Sequence, residues 1–203
     1  MPEPRLAPGT AREIGPLNAL IARVLGAATG GPPPHVFTTL GRHRRLFRRW
    51  LRFAAALMPG GSFPRAETEL VILRVAHNCD CEYEWRQHER LGQAAGLNAD
   101  EVRRVRSGPG AAGWSPRQAL LLRAADELHA DRTLSDALWG ELRPLLSDTE
   151  LIELCLLVGH YEMLAMTLNA LAVVPDELPA GPPPRAVRAL QAIVARRRGA
   201  HAS

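Results

Sequence analysis

The sequence contains no lysine: all 25 of its basic side chains are arginine. That excludes a Schiff-base amine and the phosphate-binding lysine of a P-loop. Aromatic residues are scarce, at 5% of 203 residues, and the net charge is only +4. A nucleic-acid surface needs a basic stripe with interleaved aromatics, so no nucleic-acid partner is expected. Cysteine is limited to three, an odd number that does not build a disulfide framework. Alternating apolar and polar runs, the mark of strands, are nearly missing. The longest apolar stretch, Leu151 to Val174, is interrupted by Glu153, His160, Glu162 and Asn169. It reads as a buried helix rather than a membrane span. The start, MPEPRLAPG, shows no apolar run behind a basic cluster, and a soluble cytoplasmic protein is expected.

What is present is helical periodicity, and the fold class expected is all-α. A first helix runs from about Ile14 to Ala28 and is closed off by GGPPP (Gly30 to Pro34). GRHRRLFRRWLRF (Gly41 to Phe53) sets Leu46, Phe47, Trp50, Leu51 and Phe53 at helical spacing, which predicts an amphipathic helix with a solvated arginine face. PGGSFP (Pro59 to Pro64) ends it, and Ala66 to His77 forms a strong apolar helix. Asp80 is the expected N-cap of the next helix, which stops at Gly96. Asn98, Ser115 with Pro116, and Ser147 open later helices. PDELPAGPPPR (Pro175 to Arg185) is a linker before a short basic helix and a loose tail. ETELVILRVAHN (Glu67 to Asn78) faintly repeats in DTELIELCLLVG (Asp148 to Gly159); if the echo is structural, the two segments pack about a pseudo-twofold axis.

The densest chemistry lies in HNCDCEYEWRQHERLG (His77 to Gly92), with two cysteines, two histidines and four acidic residues. On a helical wheel Cys81, Glu84 and His88 share one face, Trp85 lies beside His88, and Cys79 falls off that face. No metal is expected: structural zinc commonly uses CxxC pairs, whereas this is a lone CxC. A di-iron bundle needs two Glu-x-x-His turns, and only Asp126 and His129 show a comparable spacing. A thiol at a helix N-terminus is activated by the dipole, but Asp80, Glu82 and Glu84 crowd Cys81 with opposing charge. An isolated Glu/His pair is ordinarily a surface ion pair. Here the neighbouring thiol, tyrosine and tryptophan argue for a sheltered face, with His88 and Glu84 as an acid–base pair.

The run RAETELVILRVAHN…CEYEWRQHERLGQAAGL resembles the carboxymuconolactone decarboxylase family, which includes the AhpD-like alkylhydroperoxidases. That family's signature is a glutamate, eleven intervening residues, then Cys-x-x-Cys-x-x-x-His. Glu69, Cys81 and His88 stand at matching positions; the second cysteine is Glu84, and the histidine two residues after the first cysteine is Tyr83. These departures disfavour peroxidase chemistry and favour the decarboxylase-like branch. The resemblance extends from about His35 to Pro175. It divides the chain into an N-terminal helix and linker (1–34), a family-like domain (35–175) and a Pro-rich, basic tail (176–203).

The resemblance implies an AhpD-like helical bundle and a cofactor-free lyase, decarboxylase or isomerase acting on a small carboxylated or enolisable molecule. In that reading His88 is the proton donor, and Glu84 and Glu69 set its charge and orientation. Cys81 and Tyr83 line the pocket, the Tyr83 phenol serving a developing oxyanion. Trp85 walls one side, and Arg74 is the candidate carboxylate clamp. His160, with Glu162 and Asn169, forms the far wall or a subunit contact. The partners implied are a small-molecule substrate and further copies of the chain, as a trimer or hexamer. His77 reads as a helix-end cation, Asp126, Glu127 and His129 as structural, and Trp114 and Trp139 as core anchors. Two alternatives remain: a thiol-dependent hydroperoxide reductase using Cys79 and Cys81, and a non-catalytic ligand-binding oligomer.

Overall fold

A computed structural model describes residues 3–177; the expected basic helix and tail beyond them lie outside the described residues. The described elements are ten helices: α1 (Ala11–Ile14), α2 (Pro16–Thr29), α3 (His35–Leu40), α4 (Arg44–Leu57), α5 (Arg65–Asn78), α6 (Glu82–Ala95), α7 (Ala99–Val105), α8 (Pro116–Asp131), α9 (Asp136–Leu142) and α10 (Asp148–Ala170). Among the described residues there is no strand.

The chain divides into two compact units. Glu3–Leu6 with Arg49–Pro175 form the larger; Ala7–Arg48 with Asp176 and Glu177 form the smaller. The division expected at 34/35 therefore falls inside the smaller unit, which keeps α3 and the start of α4. Within it, buried Asn18 donates to the carbonyls of Gly41 and Arg44, and Asp176 accepts from the His35 backbone N–H. The arginine-rich helix is less sheltered than its spacing predicts: Phe47 is buried, while Leu46 and Phe53 are exposed.

The larger unit is built around α5, which packs against α6, α7, α8 and α10. Thr68 to Leu73 are buried without a break, followed by Val75 and Ala76. A helix enclosed on all sides needs apolar residues all round, which explains why β-branched Val71, Ile72 and Val75 are accommodated despite modest helix propensity. Leu70, Leu73 and Ala76 join Trp85, Leu97, Val102, Val105 and Leu122 in one core, with Trp114 packed against it. Helix starts are set where cap residues occur: Asn98, Ser115 and Ser147 each form a reciprocal capping box.

The turn between α5 and α6 departs from the expected cap. Asp80 adopts φ +48°, and Cys81 is the N-cap residue. Asp80 is used instead as the left-handed residue that reverses the chain, a conformation aspartate tolerates better than most side chains. The faint internal echo does not extend to structure. Where α5 turns into α6, α10 runs straight on for 23 residues. Glu69 is buried, whereas its counterpart Glu150 belongs to a capping box and accepts from Arg117.

By length and composition alone α10 could cross a membrane, but half of its most apolar window is buried inside the protein. Its buried Glu153 accepts from the backbone N–H groups of Ser62 (2.6 Å) and Phe63 (3.4 Å), fixing the turn that leads into α5. Removing that carboxylate orphans two backbone donors. Glu153→Ala is expected to lower stability by about 1–3 kcal/mol, read as a reduced denaturation midpoint at unchanged m-value.

Candidate functional site

The centre of the candidate site is Glu69, in the enclosed part of α5. Its Oε2 lies 2.7 Å from His88 Nδ1, and its Oε1 lies 2.5 Å from the Arg65 guanidinium one turn earlier. Glu69 is fully buried, and His88 is only 6% exposed. A carboxylate in so dry a position is tolerated only with compensating charge and hydrogen bonds. Arg65, whose side chain is about one-third exposed, supplies a cation from the solvent side. The eleven-residue interval from Glu69 to Cys81 and the seven-residue step to His88 thus bring glutamate and imidazole together across the α5–α6 hairpin.

Against this pair stands an aromatic wall from α10. The Tyr161 ring meets His88 edge-on, with centroids 5.0 Å apart, and meets His160 in the same manner at 5.1 Å. Tyr161 thereby separates two imidazoles, and its hydroxyl reaches Met58 Sδ at 3.6 Å. Trp50 stacks on His160, while Phe53 meets it by an edge. Burial, reinforced by His88, pushes His160 down to about 4, so it is neutral at physiological pH. Burial raises the Tyr161 phenol well above its ordinary value.

Glu84 is buried on the same side of α6, yet neither of its carboxyl oxygens has a hydrogen-bond partner. Its desolvation raises its pKa well above the carboxylate range. The expected pairing of Glu84 with His88 is thus replaced by Glu69: one turn along a helix proves less effective than a direct approach across the hairpin. Both thiols of the turn are shifted up. Cys81 is pushed to about 12 by burial and then by Glu84. Cys79 is pushed to about 11 by burial, then by Glu162 and Glu84.

The other expected residues separate. Arg74 is not presented as a carboxylate clamp. Its Nε and Nη2 hold the two Asp126 oxygens at 2.5 and 2.9 Å, and Nη1 donates to the Val105 carbonyl, tying α5 to α7 and α8. Trp85 is a core residue rather than a wall beside His88, covered by Arg106 at 3.8 Å from the ring centroid. Tyr83 and Cys81 are buried in the first turn of α6 and at its cap; the tyrosine whose ring meets His88 edge-on is Tyr161. Trp139 is 45% exposed rather than a core anchor. It lines an open cleft of about 490 Å³ with Leu128, Arg132, Cys155 and Glu162, away from His88. Arg65 and Tyr161 escaped sequence reasoning. Arg65 sits four residues before Glu69, a spacing that pairs side chains on one face, and Tyr161 adjoins His160 in the apolar last helix.

The geometry defines an all-helical protein of the AhpD-like fold, with a buried Glu–His pair at the hairpin. Solved structures of that fold superpose on it. One is an alkylhydroperoxidase AhpD-core, uncharacterised peroxidase-related protein from Ralstonia eutropha JMP134: TM-score 0.78, 18% identity, covering 87% of this chain and 94% of that one. A peroxidase-related protein from Silicibacter sp. TM1040 gives TM-score 0.76 and 16% identity, covering 87% and 96%. The debrominase Bmp8 gives TM-score 0.68 and 14% identity, covering 85% and 92%. The segment 44–127, which carries Glu69, Cys81, Glu84 and His88, matches the model of the carboxymuconolactone decarboxylase family. No protein of curated function matches the sequence.

A buried acid raised above its unfolded value takes up a proton on folding at neutral pH. Its stabilising effect is complete below the unfolded value of about 4.5 and is lost as pH rises toward the folded one. Glu84→Gln removes that liability. It is expected to raise Tm at pH 7 by several degrees, with the gain shrinking toward pH 4; a gain independent of pH would contradict a protonated Glu84.

Proposed function

We propose that this chain is a cytoplasmic, cofactor-free acid–base enzyme, a lyase or isomerase acting on a small carboxylated or enolisable substrate. The observation that carries the reading is the 2.7 Å contact between buried Glu69 and His88 Nδ1. With Nδ1 oriented by a carboxylate, Nε2 is the nitrogen left to exchange a proton with substrate. In a decarboxylation the C–C bond to the carboxylate breaks, CO2 leaves, and the electron pair flows into a conjugated carbonyl. The Nε2–H of His88 then delivers its proton to the resulting carbanionic carbon, and a proton taken up from solvent replaces it, one being consumed per CO2 released. Arg65 is the cation in contact with the pair and takes the role first assigned to Arg74. The neutral, unpartnered Glu84 is a proton donor in reserve, suited to a developing oxyanion.

The thiol-dependent alternative draws on the names of the structural neighbours. It needs a thiolate at neutral pH, and both thiols of the turn are held protonated by burial and nearby carboxyl groups. CO2 release from 4-carboxymuconolactone, followed by proton exchange at the α-carbon of related enolisable acids, tests the choice. His88→Ala is expected to lower turnover at least ~100-fold and Cys81→Ser less than ~10-fold. The reverse order would transfer the site to the thiol; inertness of the wild type toward all of these acids would reject the substrate class.

The reading also includes a homo-oligomer, a trimer or hexamer. Ile152, Leu156, Gly159, Met163 and Met166 follow each other at four- and three-residue steps on the exposed side of α10, with Ile152 63% and Met166 67% exposed. A continuous apolar seam of that spacing suits a second copy of the same helix. Met166→Glu is expected to shift the sedimentation coefficient to that of a smaller species; an unchanged value would remove α10 from the interface.

A further inference from the structure

Cys79 does not face His88; it meets two residues from other helices. Its Sγ lies 3.8 Å from His129 Nδ1 on α8, and the same nitrogen lies 2.7 Å from Glu162 Oε1 on α10. The three donor atoms all lie within 4.8 Å of one another. A nucleophilic relay would need thiol and carboxylate on opposite ring nitrogens, so that the imidazole could pass a proton across itself. Here both converge on Nδ1, and no such relay is available. A sulfur, an imidazole nitrogen and a carboxylate oxygen gathered within 4.8 Å of one another are instead a donor set of the kind a small divalent cation takes.

We propose that Cys79 Sγ, His129 Nδ1 and Glu162 Oε1 form a binding site for a zinc-type divalent ion at the edge of the open cleft. Donors around tetrahedral zinc are separated by roughly 3.3–3.8 Å. The Cys79–His129 distance already meets that figure, and the His129–Glu162 hydrogen bond has to open by less than about 1 Å. The surrounding contacts hold the ligands in place. Arg132 Nη1 binds the other oxygen of Glu162 at 2.5 Å, and Asn169 Nδ2 holds the Cys79 carbonyl at 2.8 Å. Such outer contacts orient ligands and tune affinity. Three protein ligands leave a fourth position, and Glu162 and Arg132 themselves line the cleft. The ligand set of one thiolate, one imidazole and one carboxylate favours zinc-like ions over magnesium or calcium, which prefer oxygen alone. Binding replaces the thiol proton by the metal, and that proton leaves to solvent.

The test uses the full chain, stripped with chelator and titrated with Co2+ as the optical probe. Expected are one equivalent of Co2+ per chain, a near-ultraviolet thiolate-to-cobalt charge-transfer band, and displacement by Zn2+. Cys79→Ser should abolish the band, and His129→Gln or Glu162→Gln should weaken binding at least ~100-fold. Arg132→Ala should weaken it about 10-fold. Cys155→Ser, which removes the exposed thiol of the cleft, should retain the band. Absence of the band in the wild type overturns the site, as does its persistence in Cys79→Ser with native circular dichroism or its loss in Cys155→Ser. Should Cys79→Ser fail to fold, unchanged affinity in both His129→Gln and Glu162→Gln overturns it equally. No turnover enters the measurement, so its outcome is independent of the acid–base reading at His88.

Discussion

The larger unit is organised by one constraint: a carboxyl group has to be accommodated in its most enclosed part. Glu69 sits on α5 among residues buried without interruption. Isolated, such a charge is prohibitively costly; joined to Arg65 on one oxygen and His88 on the other, it becomes tolerable and directional. Breaking a buried pair by removing one partner typically costs about 3–5 kcal/mol, because the survivor is left uncompensated. The hairpin geometry, the apolar core packed around α5 and the aromatic wall from α10 therefore serve the same end. They hold an imidazole in one orientation with water largely excluded.

Polar groups elsewhere show the same economy. Arg74, Asp126 and Asn78 form a tie across α5 and α8, in which Asn78 also donates to the Asp126 oxygen already held by Arg74. Arg117 connects Glu67 of α5 with Glu150 of α10 and the Leu145 carbonyl. Bidentate guanidinium geometry suits such joints, and a chain that uses arginine to the exclusion of lysine is well supplied with them. Arginines that look like substrate clamps in isolation are, in this architecture, mostly helix-to-helix fasteners.

That distinction separates what the sequence disclosed from what it concealed. Helix starts at Asn98, Ser115 and Ser147 were legible because capping is local, a matter of three residues. The Glu69–His88 pair was accessible only through the resemblance, since the wheel of α6 alone favours Glu84. Residues 52 positions apart, such as Arg74 and Asp126, carry no spacing rule, so the clamp assignment had nothing to oppose it. Trp85 shares the α6 wheel with His88, but a wheel cannot show that the neighbouring face turns toward Leu70 and Leu97. Cys79, His129 and Glu162 come from three separate segments, so a metal-ligand search by sequence interval passes over them. Tyr161 was hidden by its surroundings: in a helix of apolar residues, a tyrosine reads as packing.

Glu84 marks where the site departs from the pattern of the family whose model the segment matches. The position belongs to a second cysteine in the family's dithiol pattern, and its replacement changes more than one nucleophile. A carboxyl group enclosed without hydrogen-bond partners is held protonated, and any negative charge it does carry opposes ionisation of Cys81 beside it. Where the pattern has a second sulfur this chain has a carboxyl group, and the Cys81 thiol beside it is raised first by burial and then by Glu84. Redox chemistry needs a thiolate and a second sulfur; acid–base chemistry needs paired groups whose surroundings drive their proton affinities apart. Burial drives the proton affinity of Glu84 up and that of His160 down on either side of Tyr161, a separation of the kind the proposed acid–base reading draws on.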